Sequence, residues 1–277
     1  MLGLVIVASF VILALLAPVL THPTERNPYV IPHEGYASDP HPPSPGHPFG
    51  TTEEQFDLYY GIIWGARTAF IVALTVVASA VVVALLLGSV SGFYGGWIDE
   101  IVMRVTDIFL AFPGLILAVV IVAVLGQNVR NAIIAIAIVE WPTYTRLLRG
   151  EFLRVRDIEF VQAARALGAG DLRIIARHVI PNTLYPMLIL ASLNIGSIVI
   201  TFAALSFLGL GAPPGYADWG QLINLSHNWI AGTPGHAFVF WYTLVVPGAA
   251  IFLFVLGWNL LGDAFRDIFD PRLQGSR

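Results

Sequence analysis

The run Thr68-Ala-Phe-Ile-Val-Ala-Leu-Thr-Val-Val-Ala-Ser-Ala-Val-Val-Val-Ala-Leu-Leu-Leu-Gly-Ser-Val-Ser-Gly-Phe-Tyr-Gly-Gly-Trp-Ile98 contains no charged residue. A helix crossing the hydrocarbon of a bilayer needs about 20 mostly apolar residues. The run therefore predicts one spanning helix followed by the turn Gly92-Phe93-Tyr94-Gly95-Gly96. Composition agrees: 57% of residues are hydrophobic, 12% are charged, and mean hydropathy is +0.77. A soluble fold of 277 residues could not hide that much apolar surface. The chain reads as an integral membrane protein.

Other uncharged runs lie on both sides. Leu2 to Leu20 precedes it and lacks the basic region of a signal peptide, so it reads as a retained helix beginning almost at Met1. Ile108 to Val129, Ala132 to Leu148 (interrupted by Glu140-Trp141-Pro142), Leu184 to Leu205 and Phe238 to Leu261 follow. The expected fold class is all-α, with six transmembrane helices. Between Pro18 and Pro48 lie half of the 18 prolines, and Glu25, Glu34, Asp39, Glu53, Glu54 and Asp57 make the same region acidic. Proline disfavours helix there, so 21–66 reads as an extramembranous loop, with short helices near Glu53 to Gly65. The organisation is thus an N-terminal helix 1–20, the loop 21–66, a helical core 67–262 carrying a polar loop 150–182, and a tail 263–277.

Arginine sets orientation, because basic residues concentrate on the cytoplasmic side. With the N-terminus inside, Arg104, Arg146, Arg149, Arg154, Arg156, Arg165, Arg173, Arg177, Arg266, Arg272 and Arg277 all fall inside, and only Arg26, Arg67 and Arg130 fall outside. The expected topology is N-in, C-in. Two absences narrow the chemistry. No cysteine is present, which removes disulfides, thiolate catalysis and thiolate metal ligands. All 14 basic residues are arginine, so there is no lysine for a P-loop or a Schiff base.

In the polar loop, Asp157-Ile-Glu-Phe-Val-Gln-Ala-Ala-Arg-Ala-Leu-Gly168 has the pattern of a short amphipathic helix, with Asp157 as N-cap and Gly168 as stop. Phe160, Ala163, Ala164 and Leu167 share one face; Glu159, Gln162 and Arg165 point elsewhere. Periodicity leaves two readings open: a helix lying on the membrane or on its own neighbours, or one docking in a partner's groove.

Gln162-Ala163-Ala164, then Gly168, then His178-Val179-Ile180-Pro181 resembles the EAA loop of ABC importer permeases, with Gln162 in place of its first Glu and His178 in place of its Ile. Arg177-His178-Val179-Ile180-Pro181-Asn182 suits the dipeptide/oligopeptide/nickel branch. His47-Pro-Phe-Gly50, Gly92 to Glu100, Arg104 to Asp107, Ala111-Phe-Pro-Gly114, Leu205 to Gly211, Asp218-Trp-Gly220, Asn259 to Asp263, Arg266-Asp267 and Asp270-Pro271 follow the same branch, over about residues 45 to 273. Thr51 to Asp57 departs from it. The resemblance implies a type I ABC importer permease in a bacterial or archaeal inner membrane. It implies a second homologous permease, two ATPase subunits that carry ATP and Mg, an extracytoplasmic substrate-binding protein, and no nucleic-acid partner. It implies no catalytic, cofactor-binding or metal residue in this chain. Glu159, Gln162, Ala163, Ala164, Leu167, Gly168 and Pro181 would form the ATPase-coupling element, with the two alanines allowing close approach and Pro181 opening the next helix.

Elsewhere, Asn194, Ser197 and Thr201 share a face of the fifth span, either as interhelical hydrogen bonders or as a translocation path. Glu140, an ionisable residue in a membrane segment, reads either as functional or as a structural pair with a nearby arginine, and Arg104 with Asp107 as an intrahelical pair. Asp263, Arg266, Asp267 and Asp270 suggest an interfacial cap. Trp219, Trp229 and Trp241 suit an aromatic belt. The outward histidines (His22, His33, His41, His47, His227 and His236) fit no metal-ligand spacing. A secondary transporter would need inverted repeats, which are not apparent, and an intramembrane hydrolase would need a base, for which the only inward histidine is His178.

Overall fold

The computed structural model describes residues 1–23, 26–33, 35, 37, 39–229, 231–233 and 236–269. Glu25, Glu34, Asp270, Pro271, Arg272 and Arg277 lie outside them. The elements run α1 (Leu2–Leu20), α2 (Leu58–Tyr94), α3 (Gly96–Leu110), α4 (Gly114–Leu125), α5 (Val129–Val155), α6 (Glu159–Ala166), α7 (Asp171–Ile174), a π-turn (Ile175–Val179), α8 (Ile180–Phe207), α9 (Trp219–Asn224), a 3₁₀ turn (His227–Trp229) and α10 (Tyr242–Phe269). Among the described residues only isolated β-bridges occur, and no sheet.

Four helices are long and apolar enough to cross a membrane: Leu2–Leu20, Leu58–Tyr94, Asp171–Phe207 and Tyr242–Ile268. A fifth exists if α3 and α4, bent by 87°, form one broken span. The uncharged run Ile108 to Val129 is therefore not a single helix. Pro113 lacks an N–H and pushes Phe112 out of the helical region, so α3 stops at Leu110 and α4 has only 12 residues. The charged stretch Asp99 to Asp107 is helical, within α3. Helix α2 is 37 residues long, about 55 Å at 1.5 Å per residue, well beyond the hydrocarbon thickness. It starts at Leu58, inside the stretch expected as loop, because Asp57 caps it by accepting from the Tyr60 N–H at 2.8 Å. At the other end α10 continues through Asp263, Arg266 and Asp267, all exposed, to Phe269.

Helices α2 and α5 cross along a stripe of small residues, Ala80, Ala84, Gly88 and Gly92. A Cβ on Gly92 would lie 2.6 Å from the Phe152 Cβ, so contact at this distance requires glycine. The buried side chains form two clusters. One joins Phe10, Trp64, Phe202, Trp219 and Phe254. The other joins Phe93, Tyr144, Leu148, Phe152, Val161, Ile174 and Val179.

Trp219 belongs to the first cluster and not to an interfacial belt. It is 2% exposed, its indole N–H donates to the Ile62 carbonyl at 3.1 Å, and its ring meets Phe10 and Phe254 edge to face. Trp241 is exposed, and Trp229 packs against Phe240. Asp218 caps α9 by accepting from the Gln221 N–H at 2.9 Å, and burial pushes its carboxyl up to about 6. Part of the 21–57 segment is also packed: Ile31, Thr51, Thr52 and Gln55 are buried.

Candidate functional site

The polar loop folds as α6, a hairpin turn and α7, braced on the end of α2. Helix α5 ends at Val155, and the Arg156 guanidinium reaches the C-terminus of α2, donating to the Gly92 carbonyl at 3.0 Å and the Phe93 carbonyl at 3.4 Å. These are carbonyls that a helix end leaves without an intrahelical partner. Asp157 does not cap α6. The cap position is Ile158, without a side-chain hydrogen bond, while the Asp157 carboxylate lies 3.5 Å from Arg156. Gln162 closes the turn instead, its amide donating to the Asp157 carbonyl at 3.0 Å.

The face expected to be continuous is divided. Val161 is fully buried and Ala164 half-buried, both toward the chain's own second cluster. Phe160 and Ala163 are exposed, and Leu167 is 90% exposed. Leu172, not singled out from the sequence, joins them at 80% exposure. Glu159 and Gln162 are also exposed, and the Arg165 guanidinium stands 5.6 Å from the Phe93 ring centroid. Helix α6 is thus held by one side while an apolar surface with small residues points away from the chain.

Gly168 ends α6 at φ +83°, a left-handed conformation that costs any residue with a Cβ. The Gly168 N–H donates to the Arg165 carbonyl and the Ala169 N–H to the Ala164 carbonyl, both at 3.0 Å, which together make a Schellman stop. The next helix does not begin afresh at Pro181. Helix α7, the π-turn and α8 run on as one helical stretch, Asp171–Phe207. Pro181 has no N–H for the ladder, and the wider π-turn just before it closes instead with the Ile180 N–H on the Ile175 carbonyl. Asn182 donates to the His178 carbonyl at 2.6 Å.

The other candidates lie apart from this loop. Asn194 donates to the Glu140 carboxylate at 3.2 Å, so Glu140 pairs with an amide rather than an arginine. Ser197 is exposed, and Thr201 donates to its carbonyl at 3.0 Å. Arg104 and Asp107 do not pair with each other. Arg104 lies 3.9 Å from Glu100, whereas Asp107 meets Arg146 of α5 at 2.5 Å. About two turns back along α3, Asp99 takes two hydrogen bonds from Arg149 at 2.5 Å and one from Ser91. Sequence spacing could not show these α3–α5 bridges, which join positions far apart in the chain. His47 lies 2.6 Å from Asp57, the residue that caps α2. Among the described residues no group of three or more His, Asp or Glu could hold a metal.

The chain thus combines helices of membrane-crossing length with a braced short helix whose apolar surface points outward. Solved structures share the fold. A chain of the inward-facing MetNI methionine ABC transporter superposes with a TM-score of 0.55 at 18% identity, covering 75% of this chain and 97% of that one. A chain of an amino acid ABC transporter does so at 0.54 and 16%, covering 76% and 94%. Residues 84–275 match the family described as binding-protein-dependent transport system inner membrane component, and the chain belongs to that family. It is a transport component of the inner membrane and not an enzyme. The dipeptide transport system permease protein of Alkalihalophilus pseudofirmus is 39% identical over 98% of this chain and 85% of its own length. The probable D,D-dipeptide transport system permease of Escherichia coli K12 is 41% identical over 85% and 77%. The glutathione transport system permease of Pectobacterium atrosepticum is 37% identical over 84% and 75%. This membership favours an ABC permease over a secondary transporter or an intramembrane hydrolase.

Proposed function

We propose that the chain is one permease of an ATP-driven importer for peptides or related small solutes, and that α6 couples it to an ATPase. The observation that carries the coupling role is the divided α6: Val161 anchors it, Phe160 keeps a partly exposed ring beside His178, and Ala163, Leu167 and Leu172 are open. A short apolar face flanked by small residues is the shape a groove on a partner accepts. Glu159, Gln162, Ala163, Leu167 and Gly168 meet that partner, while Ala164 and Pro181 hold the element to its own helices. ATP and Mg reside on two partner subunits. A second homologous permease completes the path, and a binding protein delivers cargo on the far side.

Six crossings with both termini inside suit the arginine distribution, with α5 and the broken α3–α4 pair adding two crossings to the four unbroken ones. The core 67–262, with its loop 150–182, forms this half of the path, and Asn194, Ser197 and Thr201 line it. Closure of the ATPases pulls α6. The load passes through Arg156 and Val161 into α2 and α5, and packed interfaces convert a small displacement into a switch. The relatives named above are named for dipeptides, D,D-dipeptides and glutathione, which share amide-linked, charged termini. None of these three is named for nickel.

Because the chain has no cysteine, a single Cys at Ala163 reports contacts without background. In the assembled transporter, a short crosslinker at this position is expected to trap the ATPase subunit. Trapping no other polypeptide in an intact, ATPase-active complex would overturn the coupling role. Peptide-binding measurements on the cognate binding protein test the cargo class.

A further inference from the structure

Helices α1, α2 and α10 enclose a groove of about 420 Å³, lined by Val7, Val11, Leu15, Phe70, Leu74 and Trp258, with Arg67 at one end. Leu15, Ile71 and Leu74 are exposed, so the groove opens sideways, toward the bilayer that surrounds these apolar helices. Arg67 directly precedes the uncharged run of α2. Its guanidinium does not follow the groove inward. It lies 4.9 Å from the ring centroid of Trp64, one turn back along the helix. The Trp64 indole in turn donates to the Thr21 hydroxyl at 2.8 Å, and Thr21 closes α1. The charge is therefore drawn to the level where the apolar length of α1 ends, the edge of the hydrocarbon on the side of the 21–57 segment. Among the described residues no carboxylate pairs with Arg67.

An unbalanced guanidinium at the hydrocarbon edge, above an apolar channel, complements one kind of molecule. Its planar fork suits a phosphate, its net charge favours an anionic headgroup, and the groove below suits an alkyl chain. We propose that the α1–α2–α10 groove holds an acyl chain of an anionic phospholipid whose phosphate binds Arg67. The lipid supplies a counter-charge that no described carboxylate provides and fills the seam between the N-terminal helix and the core.

The test uses the assembled transporter, incubated with phosphatidylglycerol or phosphatidylcholine, washed in detergent, and assayed for retained phospholipid by mass spectrometry. The native complex is expected to keep phosphatidylglycerol in preference to phosphatidylcholine. Arg67→Gln is expected to lower retained phosphatidylglycerol at least tenfold and abolish the preference, with Arg67→Lys in between. Val11→Trp, which fills the groove and leaves Arg67 in place, is expected to lose the lipid as well, and it carries the test alone if Arg67→Gln does not assemble. Retention equal to the native level in Arg67→Gln or in Val11→Trp overturns the proposal. So does a single Cys at Val11 that crosslinks quantitatively to another subunit, since a protein segment would then occupy the groove. The readout is lipid retention, so it stands or falls independently of uptake and of the α6 coupling role.

Discussion

The Arg156 guanidinium donates to the Gly92 carbonyl at 3.0 Å, tying the exit of α5, from which α6 hangs, to the C-terminus of α2. A charged donor on a helix-end carbonyl contributes roughly 1.5–3 kcal/mol. Arg156→Met keeps the aliphatic stem and removes the donors. This variant is expected to insert and to retain basal ATP hydrolysis in the reconstituted complex, while hydrolysis stimulated by the binding protein falls about tenfold. Unchanged stimulation would mean that α6 does not act through α2.

Gly168 offers a graded test of the same lever. Its φ of +83° costs a residue with a Cβ roughly 1–2 kcal/mol, and asparagine tolerates this region better than alanine. Uptake by cells with equal membrane levels of the protein should rank Gly168 first, then Gly168→Asn, then Gly168→Ala, with Gly168→Asp near background because its charge, not its backbone, opposes docking beside the apolar Leu167. Ala163→Glu, on the open side of α6, should abolish uptake without loss of thermal stability. Ala164→Glu, on the side facing its own chain, should lose both. Equal behaviour of the two glutamates would remove the distinction between a docking face and a bracing face.

The apolar runs and the EAA-like spacing were legible because both are local patterns: a run of uncharged residues, and glycine and proline at fixed offsets. The break at Phe112-Pro113 was also present in the sequence, but hydropathy carried the span across it. What stayed hidden was non-local. Trp219 looks like a belt residue by composition, yet its place is set by Gly65, where an added Cβ would lie 2.5 Å from the indole nitrogen. Arg104 and Asp107 have the spacing of a helical pair, but Arg146 on another helix takes Asp107 instead. Periodicity leaves the buried side of α6 open for the same reason. Val161 and Phe160 are adjacent and both apolar, and only the position of the α2 terminus decides which one faces inward.

Asp218 gives a pH signature. Burial raises its carboxyl to about 6 from 3.8, so the folded state holds a proton that the unfolded state releases. The associated stability is complete below about pH 4 and is lost as pH rises through about 6, on the order of 3 kcal/mol in all. Asp218→Asn keeps an oxygen to accept from the Gln221 N–H and removes the titration. Thermal unfolding of the detergent-solubilised complex should shift downward between pH 4 and pH 6.5 in the native chain, and the Asp218→Asn variant should lack that component. An identical pH dependence in both would show that this carboxyl does not titrate in that range.

Two ion pairs join α3 to α5, and they should differ in strength. Asp99 takes two bonds from Arg149, and these side chains are only 17% and 29% exposed. Asp107 and Arg146 are 54% and 51% exposed, open to water and salt. A two-pronged, partly desolvated pair leaves its survivor poorly solvated when one member is removed, so Asp99→Ala should cost roughly 1.5–3 kcal/mol. An open pair is worth about 1 kcal/mol at most, so Asp107→Ala should fall within that. Raising ionic strength to 1 M should shrink the coupling energy of the outer pair in a double-mutant cycle and leave that of the inner pair largely intact, because screening acts on exposed charge. Equal coupling energies with equal salt sensitivity would mean that α3 is held to α5 by packing around Ser91 and Gly92 and not by the Asp99 carboxylate.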